Sequence, residues 1–351
     1  MTSTTPHLDA RRTAGVSPLI SPALLRSELP VDDTVAATVT RGRDAAVDVL
    51  TGRDDRLVVV VGPCSIHDAD AALDYARLLA ARAETLRDDL VVVMRAYFEK
   101  PRTTVGWKGL INDPDLDGTF QVNKGLRIAR SLLRDITALG LPVGCEFLDP
   151  ITPQYIADLV SWGSIGARTA ASQVHRQLCS ALSMPIGIKN STDGDVQIAV
   201  DGARASAESH VFMGINPDGL ASLITTTGNP DCHVILRGGS GGPNYSAEHV
   251  SSALGTLTKA GLPERLIVDA SHGNSGKDHR RQPVVAADLA SRIAAGEKGV
   301  VGVMLESFLV AGRQEIGPDM VRGCSVTDAC MDWDTTASVL DGLAAAVRAR
   351  R

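Results

Sequence analysis

The stretch Leu57-Val58-Val59-Val60-Val61-Gly62-Pro63-Cys64-Ser65 decides the fold. Five β-branched or aliphatic residues run without a polar interruption, then stop at a Gly-Pro pair followed by a thiol and a hydroxyl. A run with no alternation is how a strand buried on both faces of a parallel sheet reads. Similar runs recur at Leu90–Met94, Pro142–Phe147, Gly163–Ala167, Pro185–Lys189, Cys232–Arg237, Arg265–Asp269 and Gly299–Glu306, eight in all. The segments between them are Ala/Leu-rich. Ala71–Leu86 places Leu73, Ala76, Leu79, Ala83 and Leu86 on one helical face. Pro153–Trp162 and Ala247–Ala260 also read as helices. Eight strands with crossover helices predict an α/β chain forming a (β/α)8 TIM barrel. A doubly wound sheet is the alternative, but no G-x-G-x-x-G follows the first strand.

Two additions interrupt the repeat. Residues 1–50 carry no strand signal, and Pro22–Leu29 and Asp33–Leu50 read as two helices of an N-terminal extension, for which the family resemblance described below implies a regulatory or oligomerisation role. Residues 51–351 form the barrel. Val211–Ile215 and Leu223–Thr226 flank Asn216-Pro217-Asp218-Gly219, which predicts a β-hairpin inserted at about 210–227, between strands 5 and 6.

Composition narrows the function. Aromatic residues are 3% of the chain, so the core must be aliphatic, which argues against base-stacking platforms for single strands. The net charge of −6 argues against a nucleic-acid or membrane-surface binder, so positive charge for an anionic substrate has to be concentrated locally. No apolar run has the length of a membrane span and the first residues lack a signal-peptide core, so a cytoplasmic location is expected. The six cysteines form no C-x-x-C pair, and in a reducing cytosol they serve mostly as small hydrophobes, any exception being catalytic or metal-binding.

A barrel of this kind places its chemistry at the C-terminal ends of its strands. Those ends carry Cys64, Arg95, Glu146, Arg168, Lys189, Arg237, His272 and Glu306, with Lys100, Pro101, Arg102 and Thr103 close behind the second strand. They sort into two sets. Arg95, Lys100, Arg102, Arg168, Lys189 and Arg237 are six cations in one mouth, which calls for a multiply charged anion such as a phosphate with a carboxylate. Their mutual repulsion predicts a strained empty site. The glycine-rich loop 238–242 offers further backbone donors. Cys64, His272, Glu306 and Asp328 make the second set. One thiolate, one imidazole and two carboxylates suit a divalent transition ion, Mn²⁺, Fe²⁺, Co²⁺ or Zn²⁺, over Mg²⁺.

Gly62-Pro63-Cys64-Ser65-Ile66-His67-Asp68, Arg95-Ala96-Tyr97-Phe98-Glu99-Lys100-Pro101-Arg102-Thr103-Thr104, Ile165-Gly166-Ala167-Arg168-Thr169, Ile235-Leu236-Arg237-Gly238-Gly239 and Asp269-Ala270-Ser271-His272-Gly273-Asn274 resemble the type I 3-deoxy-D-arabino-heptulosonate-7-phosphate (DAHP) synthases, in the family's order and from about residue 15 onward. The resemblance implies the first step of the shikimate pathway, leading to chorismate and the aromatic amino acids: phosphoenolpyruvate, D-erythrose 4-phosphate and water give DAHP and phosphate. It implies that Arg95, Lys100, Arg168, Lys189 and Arg237 hold phosphoenolpyruvate beside Glu146 and the Gly166-Ala167 backbone. Pro101, Arg102 and Thr103 are implied for the erythrose phosphate, Lys100 as general acid with a pKa lowered by neighbouring cations, and Cys64, His272, Glu306 and Asp328 for the metal. Two departures flank this site: Ala170-Ala171 stand where the family usually has Thr-Glu, and Ser240 where a Lys is common. Cys330, two residues after Asp328, is expected to form a disulfide with an exposed Cys64 thiolate once metal is lost.

The resemblance also implies an aromatic amino-acid pocket formed by Pro150, Gln154, Leu178, Leu182, Ser183, Phe212 and Gly214, helped by a neighbouring subunit's N-terminal extension. Gly214 beside Pro150 is most like the tyrosine-sensitive isoenzymes, so tyrosine is the expected inhibitor and a homo-dimer or homo-tetramer the expected assembly. Three rivals remain. A 3-deoxy-octulosonate 8-phosphate synthase is disfavoured by Lys100-Pro101-Arg102-Thr103. A catalytically silent barrel sensing aromatic metabolites is disfavoured by the intact metal and cation sets, and a metal-dependent hydrolase by the density of cations.

Overall fold

A computed structural model describes residues 12–102 and 104–351. The strands in chain order are β1 (Leu57–Gly62), β2 (Leu90–Arg95), β3 (Val143–Glu146), β4 (Trp162–Ile165), β5 (Ile186–Lys189), β6 (Val211–Ile215), β7 (Ala221–Thr225), β8 (His233–Leu236), β9 (Leu266–Asp269), β10 (Val300–Glu306), β11 (Val310–Arg313) and β12 (Cys324–Ser325). Eight of them close in the order β1-β10-β9-β8-β5-β4-β3-β2, every neighbouring pair parallel. All eight expected runs are barrel strands. The hairpin is β6–β7, antiparallel, with Gly214 opposite Ser222.

The helices are α1 (Pro22–Glu28), α2 (Asp33–Thr51), α3 (Ala69–Thr85), α4 (Val122–Ala138), α5 (Pro153–Ile156), α6 (Gln173–Ala181), α7 (Gln197–Ala207), α8 (Ala247–Lys259), α9 (His272–Ser275), α10 (Gln282–Ala294) and α11 (Trp333–Arg350). Caps read directly from the sequence set several starts. The carboxylates of Asp32, Asp68 and Asp332 and the Ser246 hydroxyl each accept a backbone N–H of the first turn. No described helix is long and apolar enough to cross a membrane.

Strand residues divide between two cores. Val58, Val60, Val91, Val93, Ile235, Ile267, Val301 and Met304 fill the barrel interior around Trp162, while Leu57, Val59, Val61, Val92 and Met94 face the helical shell. Both sets are buried, so the strands carry no polar face to alternate with. Val49 and Leu50, at the end of α2, belong to the interior cluster. The helix therefore plugs the end of the barrel opposite the catalytic loops.

Two features differ from the sequence reading. Pro153–Trp162 is not one helix: α5 lasts one turn, a 3₁₀ turn spans Ala157–Leu159, and β4 begins at Trp162. Strand pairing wins over local propensity here. Ser161 N already donates to Val143 O at 2.9 Å, and the fully buried Trp162 ring fills the barrel. After β10, a short parallel pair, β11–β12, was not foreseen. It carries the chain back over the barrel mouth, where Met331 N bonds Glu306 O at 2.9 Å and brings Asp328 to the site.

Candidate active site and a second pocket

The mouth is a cavity of about 250 Å³. It is lined by Lys100, Pro101, Arg102, Glu146, Gly166, Ala167, Arg168, Lys189, Arg237, His272 and Asp328, eleven residues expected from the sequence. Thr104, Thr192, Lys277 and Thr327 line it too and were not foreseen. Thr103 lies outside the described residues. Arg95, Cys64 and Glu306 form the floor beneath, each at most 2% exposed.

The cations are not a bare cluster of repelling charges. Arg95 Nη2 donates to Glu306 Oε1 at 3.2 Å, and its guanidinium lies 4.0 Å over the Tyr97 ring. Lys189 Nζ is 3.0 Å from Asp269 Oδ2. Interleaved acids thus relieve the strain that the cation count alone implied. Arg95 keeps one buried donor, Nη1, without a partner. An orphaned guanidinium N–H under an otherwise satisfied floor is what an anionic ligand would complete.

Lys100 Nζ donates to Cys64 O at 2.9 Å and lies 3.2 Å from Cys64 Sγ. The expectation of a lowered Lys100 pKa is corrected. Burial does press it down, but Cys64, Glu146 and Glu306 outweigh burial and raise it. The exposed Cys64 thiolate is corrected as well. Cys64 is fully buried, and burial together with Glu306 pushes its thiol up to about 11. Cys330 does adjoin it, its Sγ accepting from Cys64 N at 3.4 Å.

Cys64, Glu306 and Asp328 each present a ligand atom within 4.8 Å of the others. His272 stands beside this trio, with Nε2 3.7 Å from Glu306 Oε1. Its other ring nitrogen, Nδ1, faces Asp269 Oδ2 at 2.9 Å and Ser271 Oγ at 2.7 Å, which leaves Nε2 turned toward the trio. Against the cost of burial, Lys189 and His272 hold the Asp269 carboxyl well below the usual range. His272 has φ of 52°, a left-handed conformation that costs a non-glycine residue about 1–3 kcal/mol and is tolerated where the ring has to be aimed. Thiolate, imidazole and carboxylates at these spacings fit a divalent transition ion.

The 238–242 loop does not supply the donors expected of it. Gly238 N bonds Asn244 Oδ1 at 2.7 Å, Gly239 N bonds Gly242 O at 2.9 Å and Ser240 N bonds Thr192 O at 2.9 Å. Gly238 and Gly239 serve close packing instead. Gly238 has φ of +70°, and a Cβ there would lie 2.5 Å from the Gly273 carbonyl carbon.

A residue given no role in the sequence ties the mouth to a second pocket. Glu99, next to Lys100, is buried and accepts from Asp149 N at 3.1 Å, Leu148 N at 3.4 Å and Thr152 Oγ1 at 3.2 Å. Burial pushes its carboxyl up to about 8. The loop it grips carries Pro150, which lines a cavity of about 270 Å³ between α5, α6 and the hairpin. Pro150, Gln154, Leu178, Leu182, Ser183, Phe212 and Gly214 all line this cavity, with Met184, Ile215 and Ile224 adding apolar wall. Arg26 and Arg43, from the chain's own α1 and α2, line it as well and were missed.

The closed parallel barrel and a charged mouth at its strand ends define a (β/α)8 barrel enzyme built for an anionic substrate. The model of the DAHP synthetase I family matches residues 29–341. The tyrosine-inhibited phospho-2-dehydro-3-deoxyheptonate aldolase of Schizosaccharomyces pombe is 51% identical, over 98% of this chain and 94% of its own. The Phe-sensitive enzyme of Escherichia coli is 53% identical over 98% of each chain. The solved phospho-2-dehydro-3-deoxyheptonate aldolase of Francisella tularensis superposes with a TM-score of 0.95 at 49% identity, covering 96% of this chain and 99% of that one. The chain belongs to the DAHP synthetase I family, and with it to the 3-deoxy-7-phosphoheptulonate synthases.

Proposed function

We propose that the mouth condenses phosphoenolpyruvate with D-erythrose 4-phosphate and water, releasing DAHP and phosphate. The observation that carries this reading is the convergence, in a chain of this family, of the cation set and the Cys64–His272–Glu306–Asp328 set on one strand-end cavity. Arg168, Lys189 and Arg237, with Arg95 beneath, hold the phosphate and carboxylate of phosphoenolpyruvate, and Glu146 and the Gly166-Ala167 backbone fix the enol face. Pro101, Arg102 and Thr103 hold the erythrose phosphate. Cys64, Glu306 and Asp328, with His272 beside them, would hold a divalent metal, which when bound would supply Lewis acidity toward the aldehyde oxygen. C3 of phosphoenolpyruvate forms the new bond to the aldehyde carbon, and Lys100 Nζ gives its proton to the developing alkoxide. Water adds at C2, and its first proton replaces the one given by Lys100. The C2–O bond to phosphate then breaks as the remaining hydroxyl proton passes to the departing phosphate, leaving the ketone.

The second pocket is read as a feedback site for tyrosine, and the assembly as a homo-dimer or homo-tetramer in the cytoplasm. Gly214 supports tyrosine on grounds of space. A Cβ there would stand 2.9 Å from Ile224 Cγ1, so any side chain takes volume from the pocket beside Phe212.

Phosphate release tests the reaction. It should require both phosphoenolpyruvate and erythrose 4-phosphate, cease with EDTA and return with Mn²⁺ or Co²⁺. Release with arabinose 5-phosphate in place of erythrose 4-phosphate would assign the chain to the eight-carbon acid instead.

A further inference from the structure

Two arginines line the hairpin pocket, and only one has binding capacity to spare. Arg43 is committed: Nε donates to Val160 O at 3.0 Å and Nη2 to Ala157 O at 2.8 Å. Arg26 gives one bond, from Nη2 to Gln154 O at 2.7 Å, and its buried Nε has no hydrogen-bond partner. The nearest acid, Asp158, is 4.0 Å away. Both Asp158 oxygens are already taken by Arg130, at 2.7 and 2.9 Å. The Arg26 guanidinium therefore shares its only near acid with Arg130, at the edge of a cavity whose apolar wall is Leu178, Phe212 and Ile224 and whose polar lining includes Gln154, Asp158 and Ser183. Two guanidiniums on one carboxylate leave a net positive charge at Arg26, and beside the apolar side chains this suits a ligand with a carboxylate at one end and a ring at the other.

We propose that Arg26 is the carboxylate anchor of the hairpin pocket, so that this chain's own α1 reads the ligand's acid group while the hairpin and α6 read its ring. The proposal rests on the reading of this pocket as an aromatic amino-acid site. The anchor is well placed to respond to the whole pocket. Ala23 N, one turn before Arg26, bonds Pro217 O at the hairpin tip at 2.7 Å, and Tyr155 Oη from α5 donates to Ile20 O at 2.8 Å. A ligand carboxylate on Arg26 would thus fasten α1, α5 and the hairpin together.

The test is calorimetric titration of the full-length protein with tyrosine and with tyramine, which keeps the ring and amine but lacks the carboxylate. The wild type should prefer tyrosine by about tenfold or more, the worth of a hydrogen-bonded charge. In Arg26→Gln that preference should collapse toward one, and Arg26→Lys should restore part of it. Equal weakening of tyrosine and tyramine in Arg26→Gln would mean that Arg26 only buttresses α1 and would overturn the proposal while leaving the pocket's function standing. Unchanged tyrosine binding in Arg26→Gln would overturn it too. A wild type that binds neither tyrosine, phenylalanine nor tryptophan removes the aromatic-site reading and the anchor with it.

Discussion

The mouth and the hairpin pocket are cavities of nearly equal size, about 250 and 270 Å³, built on opposite principles. In the mouth most key side chains leave the ends of barrel strands or the loops just beyond them, and the deepest are fixed by partners: Arg95 by Glu306, Lys189 and His272 by Asp269. The hairpin pocket is assembled from a one-turn helix, a two-stranded insertion and the N-terminal helices, none of them part of the barrel wall. A rigid frame with interlocked charges suits chemistry that depends on fixed geometry. An enclosure whose walls are joined by a few backbone bonds suits a ligand that pulls them together.

Breaking the mouth at its floor should have the largest effect. Cys64→Ala removes one proposed metal ligand and the sulfur beside Lys100 Nζ, and activity should fall about a thousandfold, the several kcal/mol that a Lewis acid contributes. Metal content measured after dialysis should fall with it, while tyrosine binding at the other pocket stays. Normal turnover would refute the metal assignment. Next comes the layer behind. Asp269→Asn takes the carboxylate from both Lys189 and His272 and should cost about 10–100-fold in metal affinity, read by competition with a chelating dye.

The hairpin pocket should respond differently, with altered preference in place of lost turnover. Gly214→Ser should shift the ratio of tyrosine to phenylalanine inhibition by about tenfold toward phenylalanine, because a methylene-sized change in an apolar pocket is worth no more than that. A parent enzyme inhibited best by phenylalanine would reverse the assignment.

The smallest effect on turnover belongs to the link between the two, whose signature is stability. Glu99 loses its proton near 4.5 when unfolded and near 8 when folded, so between those values the folded chain holds the extra proton and stability falls as pH rises. Asp149 and the Cys145 thiol are the titratable groups facing it. Glu99→Gln mimics the protonated acid. Its melting temperature should fall by up to about 8 °C less than the wild type's between pH 5 and 8.5, since about three pH units at roughly 1.4 kcal/mol each make about 4 kcal/mol and roughly 1 kcal/mol moves the midpoint of a chain this long by about 2 °C. Identical slopes would show that Glu99 does not titrate there.

How much of this was legible follows the same division. The barrel was, because strands buried on both faces leave an uninterrupted apolar run, and the end of each run fixes where the next side chain points. Cys64, Glu146, Lys189, Arg237 and Glu306 could be placed on that rule alone. Partners were harder. Asp269 was visible only as part of a motif, since nothing local says that its carboxylate turns inward to Lys189 and His272. Glu99 was overlooked beside Lys100 because its partners are backbone amides of a loop about 50 residues away. The hairpin-pocket residues came through likeness to relatives, and Arg26 escaped because no pattern in α1 tells which side of a seven-residue helix meets the hairpin.

The plug formed by α2 bears on how the chain is made. Val49 and Leu50 are synthesised early, yet they rest against Ile235, Ile267 and Val301, which are synthesised late. The same strand, β1, finds one of its two neighbours in β10, some 240 residues downstream. Pairings so distant in the chain are slow to form and leave apolar surface uncovered while they wait. On the ribosome, then, α2 waits with its apolar end bare until the last strands arrive. A version lacking its opening 50 residues would face the opposite difficulty, closing its barrel at once but around an open end.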